Sequence, residues 1–180
     1  NTHVGINATF LKSVVPQGNI GIISQSGALG SALVDHFAAQ STLGVSTFIS
    51  LGNKSNMSEC DALEYMARDR HTDVIGMYLE DVVDGDRFRS MLQKTVAIKP
   101  VVILKSGRTP GGSQAAISHT ASMVGDDKVF DAAIRQSGAI RIYTFSHFQE
   151  ALRLFSFKQA PKNRNVLVLS NAGGMGVMLA

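Results

Sequence analysis

Ile20-Gly21-Ile22-Ile23-Ser24-Gln25-Ser26-Gly27-Ala28-Leu29-Gly30 is the stretch on which the fold turns. Its first four residues are an apolar run rich in β-branched side chains, and the run stops at Ser24. From Leu29 onward, Leu33, Val34 and Phe37 recur at helical spacings. A strand therefore passes into a helix through a corner of serine, glutamine and glycine. The same change of period repeats along the chain. Val45 to Ser50 reads as a second strand, stopped by Gly52-Asn53. Met57 to Arg70 reads as a helix with Ser58 at its N-cap and Asp61 three residues on. Val74 to Leu79 reads as the third strand, and Asp84 to Val96 as a helix with Phe88, Met91 and Leu92 on one face. Pro100 opens a fourth strand, Val101 to Leu104. A glycine- and serine-rich loop then runs from about Ser106 to Ser122. A helix over Lys128 to Gln136 ends at Ser137-Gly138, glycine being suited to the left-handed C′ position. Ala139 to Tyr143 is a short strand, and Ser146 caps a helix from His147 to about Phe157. The polar Pro161-Lys162-Asn163-Arg164-Asn165 reads as a linker. Val166 to Ser170 opens another strand, and Asn171-Ala172-Gly173-Gly174 opens its helix.

These strands are apolar throughout rather than alternating, as expected when helices cover both faces of a parallel sheet. The alternation predicts an α/β domain with a doubly wound parallel sheet, plus the start of a second, similar unit. Ligands of such sheets sit beyond the carboxyl ends of the strands. Four segments occupy that position: Ser24 to Gly27, Gly52 to Ser55, Glu80-Asp81, and the loop from Ser106 to Ser122.

Composition narrows the function classes. The 180 residues are 44% hydrophobic and 17% charged, which describes a globular chain. Seventeen basic against fourteen acidic residues leave a net charge of +3, too mild to argue for nucleic acid or a membrane surface. One cysteine, Cys60, excludes an intramolecular disulfide and fits a cytoplasmic location. No apolar run reaches the roughly 18 to 20 residues of a membrane span. The lack of an initiator methionine and the small apolar run from Gly174 to Ala180 predict a piece of a longer chain.

Four groups of residues suit chemistry. Ser24, Gln25, Ser26, Gly27 and Ala28 join a strand to a helix start, where free amides and the positive helix end favour an anion. The corner is neither a dinucleotide fingerprint nor a P-loop, and its plainer reading is a glycine packed between helix and strand. Ser118-His119-Thr120 lies within the long loop. A neutral imidazole there accepts a phosphoryl group near neutral pH; the plainer reading is an exposed loop histidine. The other histidines suggest less: His36 and His147 fall in helical patterns, His71 in a polar turn, and His3 near the start. None has metal-ligand spacing, so no metal is expected among these residues. Glu80 ends the third strand, where a carboxylate can fix an imidazole tautomer or stand solvated. Lys105 and Arg108 flank the loop and add positive potential. Asn171, Ala172, Gly173 and Gly174 repeat the first corner at the next strand.

In this order, the residues resemble the NDP-forming acyl-CoA synthetases, relatives of succinyl-CoA synthetase. Gly18 to Leu29 looks like the family's CoA-ligase segment and its phosphate-binding helix start. Ser50-Leu51-Gly52-Asn53-Lys54 looks like the Gly-Asn-Lys turn of the acetate-type branch. Gly107-Arg108-Thr109 through Ser118-His119-Thr120 looks like the phosphohistidine loop. Glu80 falls where the family places the glutamate that holds that histidine, and Asn171 to Gly174 looks like the second phosphate-binding helix start. The resemblance implies a flavodoxin-like CoA-ligase domain over residues 16–160. Residues 1–15 would be the tail of a preceding CoA-binding domain, and residues 161–180 a linker with the first strand and helix of a second ligase domain. The family often has cysteine where Thr2 stands.

The implied reaction interconverts acyl-CoA, phosphate and ADP with carboxylic acid, CoA and ATP through an acyl phosphate and a phosphohistidine at His119. Glu80 would orient His119. Asn53, Lys54, Lys105, Arg108, Ser118 and Thr120 would lie near substrate or CoA. Coenzyme A and ATP or ADP would be substrates, with acetate as the default acid and Mg2+ accompanying the nucleotide outside these residues. The CoA-binding and ATP-grasp domains or subunit would be partners, in an oligomer, with this piece alone inactive. An alternative implied by the resemblance is a degenerate synthetase region that senses acetyl-CoA beside a protein acetyltransferase. A nucleotide-binding oxidoreductase is disfavoured by the missing dinucleotide fingerprint.

Overall fold

The structure, a computed structural model, describes residues 1–9, 11, 15–39, 43–109, 111–112, 126–157 and 163–179. Five strands and six helices are defined there: β1 Gln17–Ser24, α1 Gly27–Ala39, β2 Val45–Ser50, α2 Glu59–Arg68, β3 Val74–Leu79, α3 Gly85–Val96, β4 Val101–Lys105, α4 Asp127–Ser137, β5 Ile140–Ile142, α5 Phe145–Ser156 and α6 Gly173–Leu179. The strands form one sheet in the order β2-β1-β3-β4-β5, and every pairing is parallel.

Successive strand side chains point to opposite faces, and here both faces are apolar. Ile23, Ile75, Met77 and Ile103 pack with Leu63 and Met66 of α2, Phe88 and Leu92 of α3, and Ile134 of α4. Ile20, Ile22, Val74 and Val102 pack with Leu33, Val34 and Phe37 of α1 and with Phe148 and Leu152 of α5. Close approach replaces a side chain where a helix crowds the sheet. A Cβ on Gly76 would meet the Leu152 methyls at 2.7 and 2.9 Å, and one on Gly30 would meet the Phe48 ring at 2.5 Å.

The chain leaves β1 toward β2 on one side, then crosses back to β3 on the other, so the strand order reverses at β1. That reversal opens a crevice between α1 and the connection after β3, at the carboxyl ends of β1 and β3.

The elements depart from the sequence reading by a residue or more at several ends, β1 for instance beginning at Gln17 rather than Ile20. The helix expected from Met57 to Arg70 spans Glu59–Arg68, because Ser58 and Asp61 close a reciprocal capping box that fixes its first turn. Thr144, not Ser146, caps α5, accepting from the His147 amide at 3.2 Å; β5 ends at Ile142, so the chain turns two residues earlier than expected. The strand expected at 166–170 does not form. A strand is made by its neighbour, and Val166, Leu167 and Leu169 are instead 84, 82 and 87% exposed. Gly138 does take the left-handed conformation expected at the end of α4 (φ 79°).

Candidate functional site

The corner after β1 is built almost wholly from its own polar groups. Leu51 N donates to Ser24 O at 2.8 Å, and Gln25 N donates to Tyr78 O at 3.0 Å, tying the corner to the ends of β2 and β3. Ser24 Oγ donates to Ser26 O at 2.6 Å, and Ser26 Oγ accepts from Leu29 N at 3.3 Å. The serine hydroxyls thus brace the corner. The Gly27 and Ala28 amides, at the start of α1, lack an intrahelical acceptor and lie on an exposed surface. A Cβ on Gly27 would meet only Ser50 Oγ, at 3.7 Å, so an anion has room to approach.

Gln25 does more than its backbone suggests. Its Oε1 accepts from the amides of Glu80 (2.8 Å) and Asp81 (3.2 Å), while its Nε2 donates to Asp81 Oδ1 at 2.6 Å. One side chain therefore holds the end of β3 against the helix start. Glu80 is buried there. Tyr78, near the end of β3, is half-buried; burial, more than the Glu80 charge, pushes its phenol pKa up.

The turn after β2 carries Gly52 (φ 53°), exposed Asn53, and Lys54 (φ 56°). Lys54 is turned inward. Its Nζ donates to Asp81 O at 2.9 Å and Oδ1 at 2.5 Å, and lies 2.9 Å from Glu59 Oε2 as an ion pair. Glu59 Oε1 accepts from Val83 N at 3.0 Å. Lys105 is also turned inward: it is 3% exposed, donates to Ser106 O at 3.0 Å and sits 5.4 Å from the Phe130 ring centre under α4. Burial pushes its ammonium below the ordinary lysine range. Arg108 stays at the surface, 5.1 Å over Tyr143, and donates to the Tyr143 carbonyl at 3.1 Å. Tyr78, Ser106, Arg108, Thr109 and Tyr143 line a cleft of about 300 Å³. A larger cavity of about 620 Å³ lies between the N-terminal segment and β2; among the described residues no charged side chain lines it, whereas Lys105 and Arg108 line the smaller cleft.

The structure therefore gathers Ser24, Gln25, Ser26, Gly27, Ala28, Lys54 and Glu80 at the carboxyl ends of β1, β2 and β3, while Lys105 is buried at the end of β4 and lines the neighbouring cleft. Asn171, Ala172, Gly173 and Gly174 are exposed, and no hydrogen bond or ion pair ties them to this corner. Ser118, His119 and Thr120 lie outside the described residues. The sequence places Asp81 beside Glu80 at a strand end without giving it a role, and it does not single out Glu59 or Tyr78; Glu59 reads as an ordinary acid in the first turn of α2.

Residues 17–155 match the family described as the succinyl-CoA ligase like flavodoxin domain, and the chain belongs to that family. Among its relatives, the ADP-forming 4-hydroxybutyrate–CoA ligase of Nitrosopumilus maritimus is 43% identical over 96% of this chain and 25% of its own length. The ADP-forming acetate–CoA ligase of Methanocaldococcus jannaschii is 41% identical over 100% of this chain and 25% of its own. The dinucleotide-forming acetyl-coenzyme A synthetase 1 of Ca. Korarchaeum cryptofilum, solved with phosphate and ADP, superposes with a TM-score of 0.89 at 35% identity, over 96% of this chain and 37% of that one. The chain thus spans about a quarter of the length of these curated relatives.

Proposed function

We propose that this chain is the phosphohistidine-bearing domain of an ADP-forming acyl-CoA synthetase. The observation that carries the reading is the hydrogen-bonded union of Glu80 with the start of α1. Through Gln25, a buried carboxylate and a set of open helix amides meet at the reversal point of the sheet. The names of the relatives support the same chemistry, and the resemblance of the Ser118-His119-Thr120 loop supplies the acceptor.

In the proposed sequence, inorganic phosphate attacks the acyl carbon of acyl-CoA, and the C–S bond breaks to release CoA and leave an acyl phosphate. A nitrogen of His119 then attacks phosphorus, and the acyl–oxygen–phosphorus bridge breaks to release the carboxylate. The phosphoryl group passes from His119 to ADP. The Gly27 and Ala28 amides, together with Ser26, would hold phosphate oxygens, a contact worth roughly 0.3 to 1 kcal/mol each, rising to about 2 when partly buried. The Glu80 carboxylate would accept from one imidazole nitrogen so that the other is the nucleophile. Positioning and charge stabilisation are what such a reaction asks of its protein.

Asn53 and Arg108 remain the exposed candidates near substrate or CoA, with Ser118 and Thr120 beside His119. Asn171 to Gly174 would serve a second phosphate site once the rest of the polypeptide surrounds them. CoA-binding and nucleotide-binding domains or subunits would complete the enzyme in a cytoplasmic oligomer, and Mg2+ would accompany the nucleotide there. Two relatives that match almost equally well are named for different acids, 4-hydroxybutyrate and acetate.

The test uses the full-length protein and radioactive ATP. His119→Ala is expected to abolish acid-labile label, and Glu80→Gln to slow its appearance on the order of a hundredfold while the fold persists. Label that persists at another residue would remove the relay. Acetyl-CoA binding without any label in the parent would favour the sensor role.

A further inference from the structure

Among the described residues, Lys54 is the one non-glycine residue with positive φ, at 56°. A residue with a Cβ adopts this backbone at a cost, and such strain persists only where the surroundings hold it. Here the side chain does the holding. The Lys54 side chain is 4% exposed; its Nζ donates to Asp81 O and Asp81 Oδ1 and lies 2.9 Å from Glu59 Oε2 as an ion pair. Glu59 is fully buried and the Asp81 side chain is 14% exposed. The ammonium is therefore already neutralised by two carboxylates and holds them together.

What it holds is adjacent to Glu80. Asp81 Oδ1 is shared between Lys54 Nζ and Gln25 Nε2, and Gln25 Oε1 grips the Glu80 and Asp81 amides. Removing the ammonium leaves a buried and a partly buried carboxylate without the cation they share, and separation of Asp81 from Glu59 would shift the peptide that carries Glu80. We propose that Lys54 is a positioning residue for Glu80: its buried ammonium, aimed by left-handed backbone, locks Asp81 against Glu59 and so fixes, through Gln25, the end of β3. This inference rests on the relay through Glu80 and His119 proposed above. It assigns the lysine of the Gly-Asn-Lys turn to the architecture of the site rather than to direct contact with substrate.

The experiment is a double-mutant cycle in the full-length enzyme, reading single-turnover label formation from radioactive ATP. Lys54→Met in the parent background is expected to lower the rate on the order of ten- to a hundredfold with the KM for ATP unchanged. In the Glu80→Gln background, the same change is expected to have less than about a twofold further effect, because the lysine acts through that carboxylate. Lys54→Arg, which keeps a cation between the two acids, is expected to recover most of the rate. Equal losses in both backgrounds would overturn the assignment, as would a parent-like rate in Lys54→Met. If Lys54→Met fails to fold, Asp81→Asn takes its place in the cycle and is read by the same two outcomes. His119→Ala separates the two levels. Label that survives His119→Ala overturns the relay itself, whereas label lost in His119→Ala but made at the parent rate in Lys54→Met overturns the clamp alone.

Discussion

Asp61 shows how much of this domain is decided by single side chains. Its carboxyl accepts from the Ser58 amide at 2.9 Å and from the Ser58 hydroxyl at 2.7 Å, and pairs with Arg87. The Ser58 amide first, then the hydroxyl and Arg87, hold its pKa down at about 2. A carboxylate whose pKa is lowered by folding adds stability above its unfolded value and loses it as pH falls toward the folded one. The denaturation midpoint of Asp61→Asn is therefore expected below that of the parent at pH 7, with the gap closing as pH falls from about 4 toward 2. The neighbouring Cys60 behaves in the opposite sense. Burial, then the Glu59 charge, pushes its thiol up to about 11, so an alkylating reagent at pH 8 is expected to label it only after denaturant is added. Rapid native labelling would contradict its 1% exposure. The resemblance set Lys54 near substrate or CoA in the turn after β2, but not its inward direction. That direction depends on a backbone angle no residue type demands, and on Glu59, whose place in α2 gave no hint of it. Glu80 was legible because a strand end is a fixed address in this architecture.

At the scale of elements, apolar period and capping residues located every strand of the sheet and the five helices that pack on it. The errors fell at ends, where two equivalent hydroxyls compete, as Thr144 and Ser146 do. Gly138 was readable because the C′ position calls for left-handed backbone, and its φ of 79° follows. Gly138→Ala is expected to cost about 1 kcal/mol, visible as a lower melting temperature. Leu152 is fully buried on α5, with its methyls over Gly76. Leu152→Ala is expected to cost about 2 to 5 kcal/mol by denaturant titration. The expected strand at 166–170 has the composition of one, yet composition does not provide the neighbour whose amides it needs. Among the described residues it stays unpaired, with Val166, Leu167 and Leu169 exposed.

For the molecule as a whole, alternation of strand and helix implied parallel pairing, but strand order was not written in any one segment. It emerges because α1 and α5 cover one face while α2, α3 and α4 cover the other, and only the assembled order places Ser24 beside Glu80. Among the described residues, α6 buries none of its own. A chain ending at residue 162 is expected to unfold within about 0.5 kcal/mol of the 180-residue chain, since residues 163–179 contribute no core. A larger loss in calorimetry would mean that they dock.

The bare side chains of Val166, Leu167 and Leu169 carry a consequence for handling. A short uncharged run of good strand formers, left open to water, is a template on which another such run can add. Light scattering from the 180-residue chain should rise steeply with concentration and with salting-out anions, while the shorter chain stays clear.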